Sequence, residues 1–187
     1  MSTYGHWLIL LADFALTNRP FPTLNCRVNL PAAFKLTPAK YQEIKSGDIP
    51  VVNVGGASVR VIAGTFNGVK GTASTFSPVN LWDVNLSPNE SMDLATVEGH
   101  TTIVFCRNGS LKINPEVNKT LIKSAQIAIL TREGNTIRLE GGSEGAHFMI
   151  LDGAPIKEPI AARGPFVMNT DAELRQAVVD YNSGLMG

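Results

Sequence analysis

Three histidines, two cysteines and a few carboxylates are the residues on which this chain of 187 could build chemistry. A catalytic metal centre needs several imidazole or carboxylate ligands converging on one point, with a position left open. The histidines are His6, His100 and His147, and none has a second histidine at a two-residue spacing. His100 follows Gly99 at the mouth of a strand-like run and reads as a hydrogen-bonding turn residue. His147 opens AHFMILDG and reads as a brace for the neighbouring loop. Asp83 and Asp93 would be candidates for paired acid and base work, but Asp83 alternates with apolar residues on a strand while Asp93 reads as loop, so no acid–base role follows. Gly55, Gly56 and Gly64 suggest a phosphate loop only superficially. No GxxxxGK[ST] run accompanies them, and a turn before a strand explains them better. Cys26 and Cys106 form no CxxC pair and read as buried thiols of a reducing compartment, which points to the cytoplasm. On these residues no catalytic, cofactor-binding or metal role is assigned, and no cofactor is expected.

The elements that must position these side chains follow from composition and pattern. A chain of this length with 44% apolar residues has enough for one buried core and little for two. Its 16 basic and 16 acidic residues balance without a block of either sign, which excludes a direct nucleic-acid partner. The apolar run HWLILLADFAL, His6–Leu16, has no basic flank, contains Asp13 and is about half the roughly 20 residues a membrane span needs, so no membrane association is expected. Trp7, Leu8, Leu10, Leu11 and Phe14 are expected to pack on the body of the protein or on a partner subunit.

After the break at Arg19–Pro22, LNCRVNLPAAFKLTPAKYQEI holds Pro31 and Pro38, which predicts a short strand followed by an irregular connector. From Pro50 to Ala154 short runs rich in β-branched and aromatic residues recur, each closed by Gly, Asn or Pro, as in an antiparallel sandwich or barrel. The predicted strands are Ser58–Phe66, Val79–Leu86, Thr101–Cys106, Ser110–Ile113, Gln126–Thr131, Thr136–Glu140 and Ala146–Leu151. Asn108–Gly109 signals a tight hairpin. At the C-terminus Thr170 and Glu173 form a capping box, so a helix should begin there. Leu174, Ala177, Val178 and Tyr181 recur at helical spacing, and Gly184 suits its end. This is a docked terminal helix with nothing catalytic on it.

Several of these segments resemble the pirin family. ARGPFVMNTDAELRQAVVDYNSGLMG, Ala162–Gly187, is similar to the segment that closes pirins. GVKGTASTFSPVNLWDVNL, Gly68–Leu86, resembles the entry to their second cupin barrel, and PNESMDLATVEGHTTIVFCRNGSLKI, Pro88–Ile113, its central hairpin. LNCRVNLPAAFKLTPAKYQEI resembles the connector after the first barrel. The likeness runs from about Leu24 to Gly187. It implies a mostly β, antiparallel jelly-roll (cupin) barrel with a C-terminal helix. The organisation it implies is an apolar N-terminal segment over 1–23, a connector over 24–49, the barrel over 50–160 and the tail with its helix over 161–187.

The resemblance also implies where metal chemistry would lie. Pirins are thought to hold a divalent metal, often iron, through three histidines and a glutamate of the first barrel, and some are credited with quercetin dioxygenase activity. With only 23 residues before the connector, those ligands have no counterpart here. In the retained barrel, the general cupin pattern anchored on Gly109 puts Ala95 and Val97 at the histidine positions and Thr102 at the glutamate. The fourth ligand would fall near Thr136–Arg138. The expectation is therefore a truncated, non-catalytic pirin-like cupin that binds a protein partner, itself, or a small apolar ligand inside its barrel. The alternative is a pirin-type metal-dependent dioxygenase whose ligands come from elsewhere. A missing first barrel would bare a face on the order of 600–1,500 Å², which predicts a homodimer formed about it with Trp7–Phe14.

Overall fold

The computed structural model describes residues 7–13, 23–38, 41–117 and 120–185. In chain order the strands are β1 (Trp7–Asp13), β2 (Thr23–Asn29), β3 (Tyr41–Ile44), β4 (Val51–Val54), β5 (Ala57–Ala63), β6 (Thr65–Phe66), β7 (Val69–Lys70) and β8 (Val79–Leu86). They continue as β9 (Ser91–Ala95), β10 (Thr101–Ile113), β11 (Thr120–Lys123), β12 (Gln126–Ile129), β13 (Thr136–Gly153), β14 (Ala161–Arg163) and β15 (Phe166–Met168), before helix α1 (Asp171–Asn182). The fold is mostly β, and its largest sheet is antiparallel, as a cupin barrel requires. The chain divides into two compact units, Gly47–Pro155 and a second that joins the residues up to Ser46 with Ile156–Gly187.

In the first unit the strands run β11-β10-β13-β8-β5-β4, with β12 added to β10 and β9 to β13. Alternation decides which side chains face inward. Val59 and Val61 on β5, Trp82, Val84 and Leu86 on β8, Val104 and Cys106 on β10, and Phe148 and Ile150 on β13 pack into one cluster. Val59, Val84, Val104, Leu139, Phe148 and Ile150 have no exposed surface at all. Each large side chain so buried contributes on the order of 1.5–3 kcal/mol. The barrel interior is thus filled by side chains.

Two pairs of expected strands turn out to be one strand each. Thr101–Cys106 and Ser110–Ile113 are both parts of β10, and Thr136–Glu140 and Ala146–Leu151 are both parts of β13. The predicted hairpin at Asn108–Gly109 is not one. The chain passes straight through, with register shifts between Cys106 and Asn108 and again between Gly109 and Leu111. Gly109 has φ +76°, and a Cβ built on it would run into the Gly145 carbonyl across the ladder. Glycine is required there by a bulge and a close backbone approach, not by a reversal. Asp93, expected in a loop, lies on β9 and pairs with Arg138 of β13 at 2.9 Å.

The second unit contains a three-stranded sheet in the order β2-β1-β3. The apolar N-terminal run forms its middle strand, antiparallel to β2 and parallel to β3 with Ile9 opposite Tyr41. Pro31 introduces a short 3-10 turn over Ala32–Phe34, where a proline's fixed φ is tolerated. Lys35 is buried, and its ammonium donates to Asn29 Oδ1 at 2.9 Å and to the Val167 carbonyl at 3.1 Å, tying the connector to β15. The same unit contains the β14–β15 hairpin and α1, whose Leu174 and Ala177 pack on Phe166 and Met168. The capping box forms as the sequence predicts: Glu173 N–H donates to Thr170 Oγ1 while the Glu173 carboxylate accepts from the Thr170 amide. Gly184 has φ +71° and follows the helix end. Phe14 lies outside the described residues, and Trp7, Leu8, Leu10 and Leu11 are placed by their strand alone.

Candidate functional site at the mouth of the barrel

The inward-facing rows of the barrel are apolar until the last rung. Across β10, β13 and β8, Cys106, Phe148 and Val84 form one rung, and Val104, Ile150 and Trp82 form the next. By the same alternation the following rung is Thr102, Asp152 and Asn80. Three polar residues therefore cap an apolar column. Asn80 Nδ2 donates to Asp152 Oδ1 at 2.8 Å, and Thr102 Oγ1 donates to Asp152 Oδ2 at 3.0 Å. His100, just before β10, places Nδ1 3.1 Å from Asp152 Oδ1. The Asp152 side chain is fully buried and that of His100 is 14% exposed.

This geometry fixes the chemistry. A buried carboxylate is tolerable only when its lone pairs are taken up by donors, and here three donors converge on it. Toward a carboxylate oxygen the His100 Nδ1 contributes as a donor. His100, Thr102, Thr96, Val97, Thr136 and Ile137 are among the residues around a small pocket of about 50 Å³, room for little more than water. Thr102, Val97 and Thr136 are positions where the cupin pattern would call for metal ligands. The donor set does not fit such a metal: around this pocket there is one imidazole, already oriented by a carboxylate, where the pattern calls for several. Among the described residues no group of three or more His, Cys, Asp or Glu could hold a metal ion.

The opposite face of the same strands carries a second cluster. Asp83 is adjacent to the inward Trp82 and so points the other way. Its carboxylate, 2% exposed, meets His147 Nε2 at 2.8 Å and Arg107 Nη1 at 3.2 Å through Oδ1, and Arg60 Nη1 at 3.4 Å through Oδ2. One carboxylate thereby links β5, β8, β13 and β10, all neighbours in the sheet. It is a clamp built from a fixed charge and three donors. Asp83 and Asp93 form no acid–base pair: each is engaged by its own arginine or arginines.

Sequence reasoning singled out His100, His147 and Asp83 but missed Asp152, Arg60 and Arg107. Asp152 could have been found from period alone, because HFMILD continues the alternation of Phe148 and Ile150 and puts a carboxylate on the buried face. Both thiols are expected to be buried, and only one is. Cys106 is fully buried, its Sγ directed at the Asn108 and Gly109 carbonyls, while Cys26 is half-buried. Burial pushes both thiols above their ordinary pKa, with the Asn108 hydrogen bond opposing this at Cys106.

No helix among the described residues is long and apolar enough to cross a membrane. The family model of the pirin C-terminal cupin domain matches residues 81–187. Human pirin is 32% identical over 180 residues, covering 96% of this chain and 62% of pirin. Pirin-1 of Arabidopsis thaliana is 32% identical, covering 86% of this chain and 56% of its own length. A crystal structure of quercetin 2,3-dioxygenase from Acinetobacter baumannii superposes with a TM-score of 0.82 at 41% identity, over 89% of this chain and 57% of that one. The chain thus spans rather more than half the length of these relatives.

Proposed function

This chain belongs to the pirin family, and from that premise we propose that its cupin barrel is a non-catalytic binding and self-associating module with no metal centre of its own. The observation that carries the reading is the use of the donors at the barrel mouth. Asn80, His100 and Thr102 are turned onto Asp152, and the volume beneath them is filled by Trp82, Val104 and Ile150. A metal-dependent oxygenase needs several ligands and a vacancy for substrate or oxygen. The mouth of the barrel offers one imidazole and a pocket of about 50 Å³.

The packed interior also directs binding away from the core, so the reading does not include a small apolar ligand inside the barrel. Self-association finds support on the sheet surface. Among the described strands β12 pairs with β10 alone, and its Ile127 and Ile129 are 57% and 66% exposed beside Phe105 and Ile103. An edge strand bearing exposed isoleucines is a template for the same strand of a second copy.

The other reading, a pirin-type dioxygenase, is favoured by the 41% identity to a quercetin 2,3-dioxygenase. Oxygen uptake with quercetin decides between them. The module reading expects no uptake above the metal blank when iron(II) or nickel(II) is added to the purified chain. Turnover that needs the protein and falls in His100→Ala would establish the dioxygenase instead.

A further inference from the structure

Arg163 and Arg175 are solvent-exposed guanidinium groups that have no hydrogen-bond or ion-pair partner among the described residues. Both line a groove of about 850 Å³ formed by the β14–β15 hairpin and α1. Its apolar walls are Phe166, Leu174, Val178 and Val179. Leu174 and Phe166 are nearly buried at its base, while Val179 is 55% exposed. The lining also includes one carboxylate, Asp171, so its side chains carry two positive charges against one negative. The volume lies within the range of small-molecule sites, roughly 300–1,000 Å³, and an apolar lining with a few fixed charges is their usual composition.

We propose that this groove binds an amphipathic organic anion, a molecule with an aromatic or aliphatic body and a single carboxylate or sulfonate. Three features select that class. The apolar walls gain by being covered. The two guanidiniums are planar and present paired donors that match a carboxylate or sulfonate. The two arginines disfavour a cationic head, and Asp171 opposes a second negative charge. The structure explains the apolar side chains at Leu174 and Phe166 by packing within the unit, but among the described residues it gives the Arg163 and Arg175 head groups nothing to bind. The site lies in the unit that contains the tail and does not depend on the reading of the barrel.

Anilinonaphthalene sulfonate is a probe of the required chemistry, and its uncharged counterpart N-phenylnaphthylamine is the control. The full chain should bind the sulfonate saturably at one site, at least about tenfold more tightly than the neutral amine, and decanoate should displace it. Arg163→Gln with Arg175→Gln should lower sulfonate affinity about tenfold or more and leave the neutral amine unchanged, while the circular dichroism spectrum stays that of the parent. Non-saturable sulfonate binding, equal affinity for both probes, or equal sulfonate affinity in the double variant would overturn the proposal.

Discussion

At the scale of single residues the two buried aspartates carry the polar order of the barrel. Removing Asp152 would leave Asn80, His100 and Thr102 without their common acceptor. Asp152→Ala should therefore cost about 3 kcal/mol in urea unfolding, and Asp152→Asn less, because the amide oxygen still accepts. Asp83→Ala should also be costly, since it removes the buried acceptor that His147, Arg107 and Arg60 share across four strands. A loss near zero for either variant would mean that water replaces the carboxylate, and the picture of a closed polar rung would fail. The thiols offer an independent check on burial. Fully buried Cys106 should not react with a disulfide reagent at neutral pH until the protein is unfolded, and half-buried Cys26, its thiol also pushed up, should react more slowly than a free thiol.

At the scale of elements, the terminal helix was legible in the sequence because its signals are local. A cap, a box partner three residues on and a helical stripe all lie within a dozen positions, and Thr170, Glu173, Leu174 and Gly184 sit as that pattern predicts. Thr170→Ala should cost about 1 kcal/mol of stability. The Glu173 carboxyl is held below its ordinary range, first by the Thr170 hydroxyl and then by the Asn169 and Thr170 amides and the Lys35 charge. A carboxylate with a lowered folded pKa adds stability that is complete above the unfolded value, about 4.3, and is lost as pH falls through the folded one. Thermal midpoints should therefore drop on acidification below about pH 4 by more in the parent than in Glu173→Gln. Equal slopes would remove Glu173 from the account.

The long strands were less legible for the opposite reason. At Asn108–Gly109 the dipeptide has the chemistry of a hairpin turn, and only the Gly145 carbonyl across the ladder shows why glycine is needed. That partner is far off in sequence, so no local window contains it. Gly109→Ala should destabilise through both the positive φ and the collision, where a true turn would tolerate the change better. The candidate site was legible in part. His100 and His147 could be read as bracing residues, but their acceptors, Asp152 and Asp83, come from strands brought alongside only by the sheet.

At the scale of the whole molecule, the family and the chemistry are separate conclusions. The pirin C-terminal domain match and the 0.82 TM-score establish the family and its fold. The activity of the longer relatives does not follow from fold, because function lives in sites rather than in barrels. Self-association belongs to this scale too. Light scattering at micromolar concentration should report a dimer, and Ile127→Lys with Ile129→Lys should return it to monomer if β12 is the joining edge. A parent chain that is already monomeric would end that part of the reading.

Elemental analysis of the protein purified from iron-supplemented cells, without chelator, tests the central claim most directly. The account predicts iron, nickel and zinc all far below one equivalent per chain, with no difference between the parent and His100→Ala. One equivalent of any of them, lost in that variant, would contradict it.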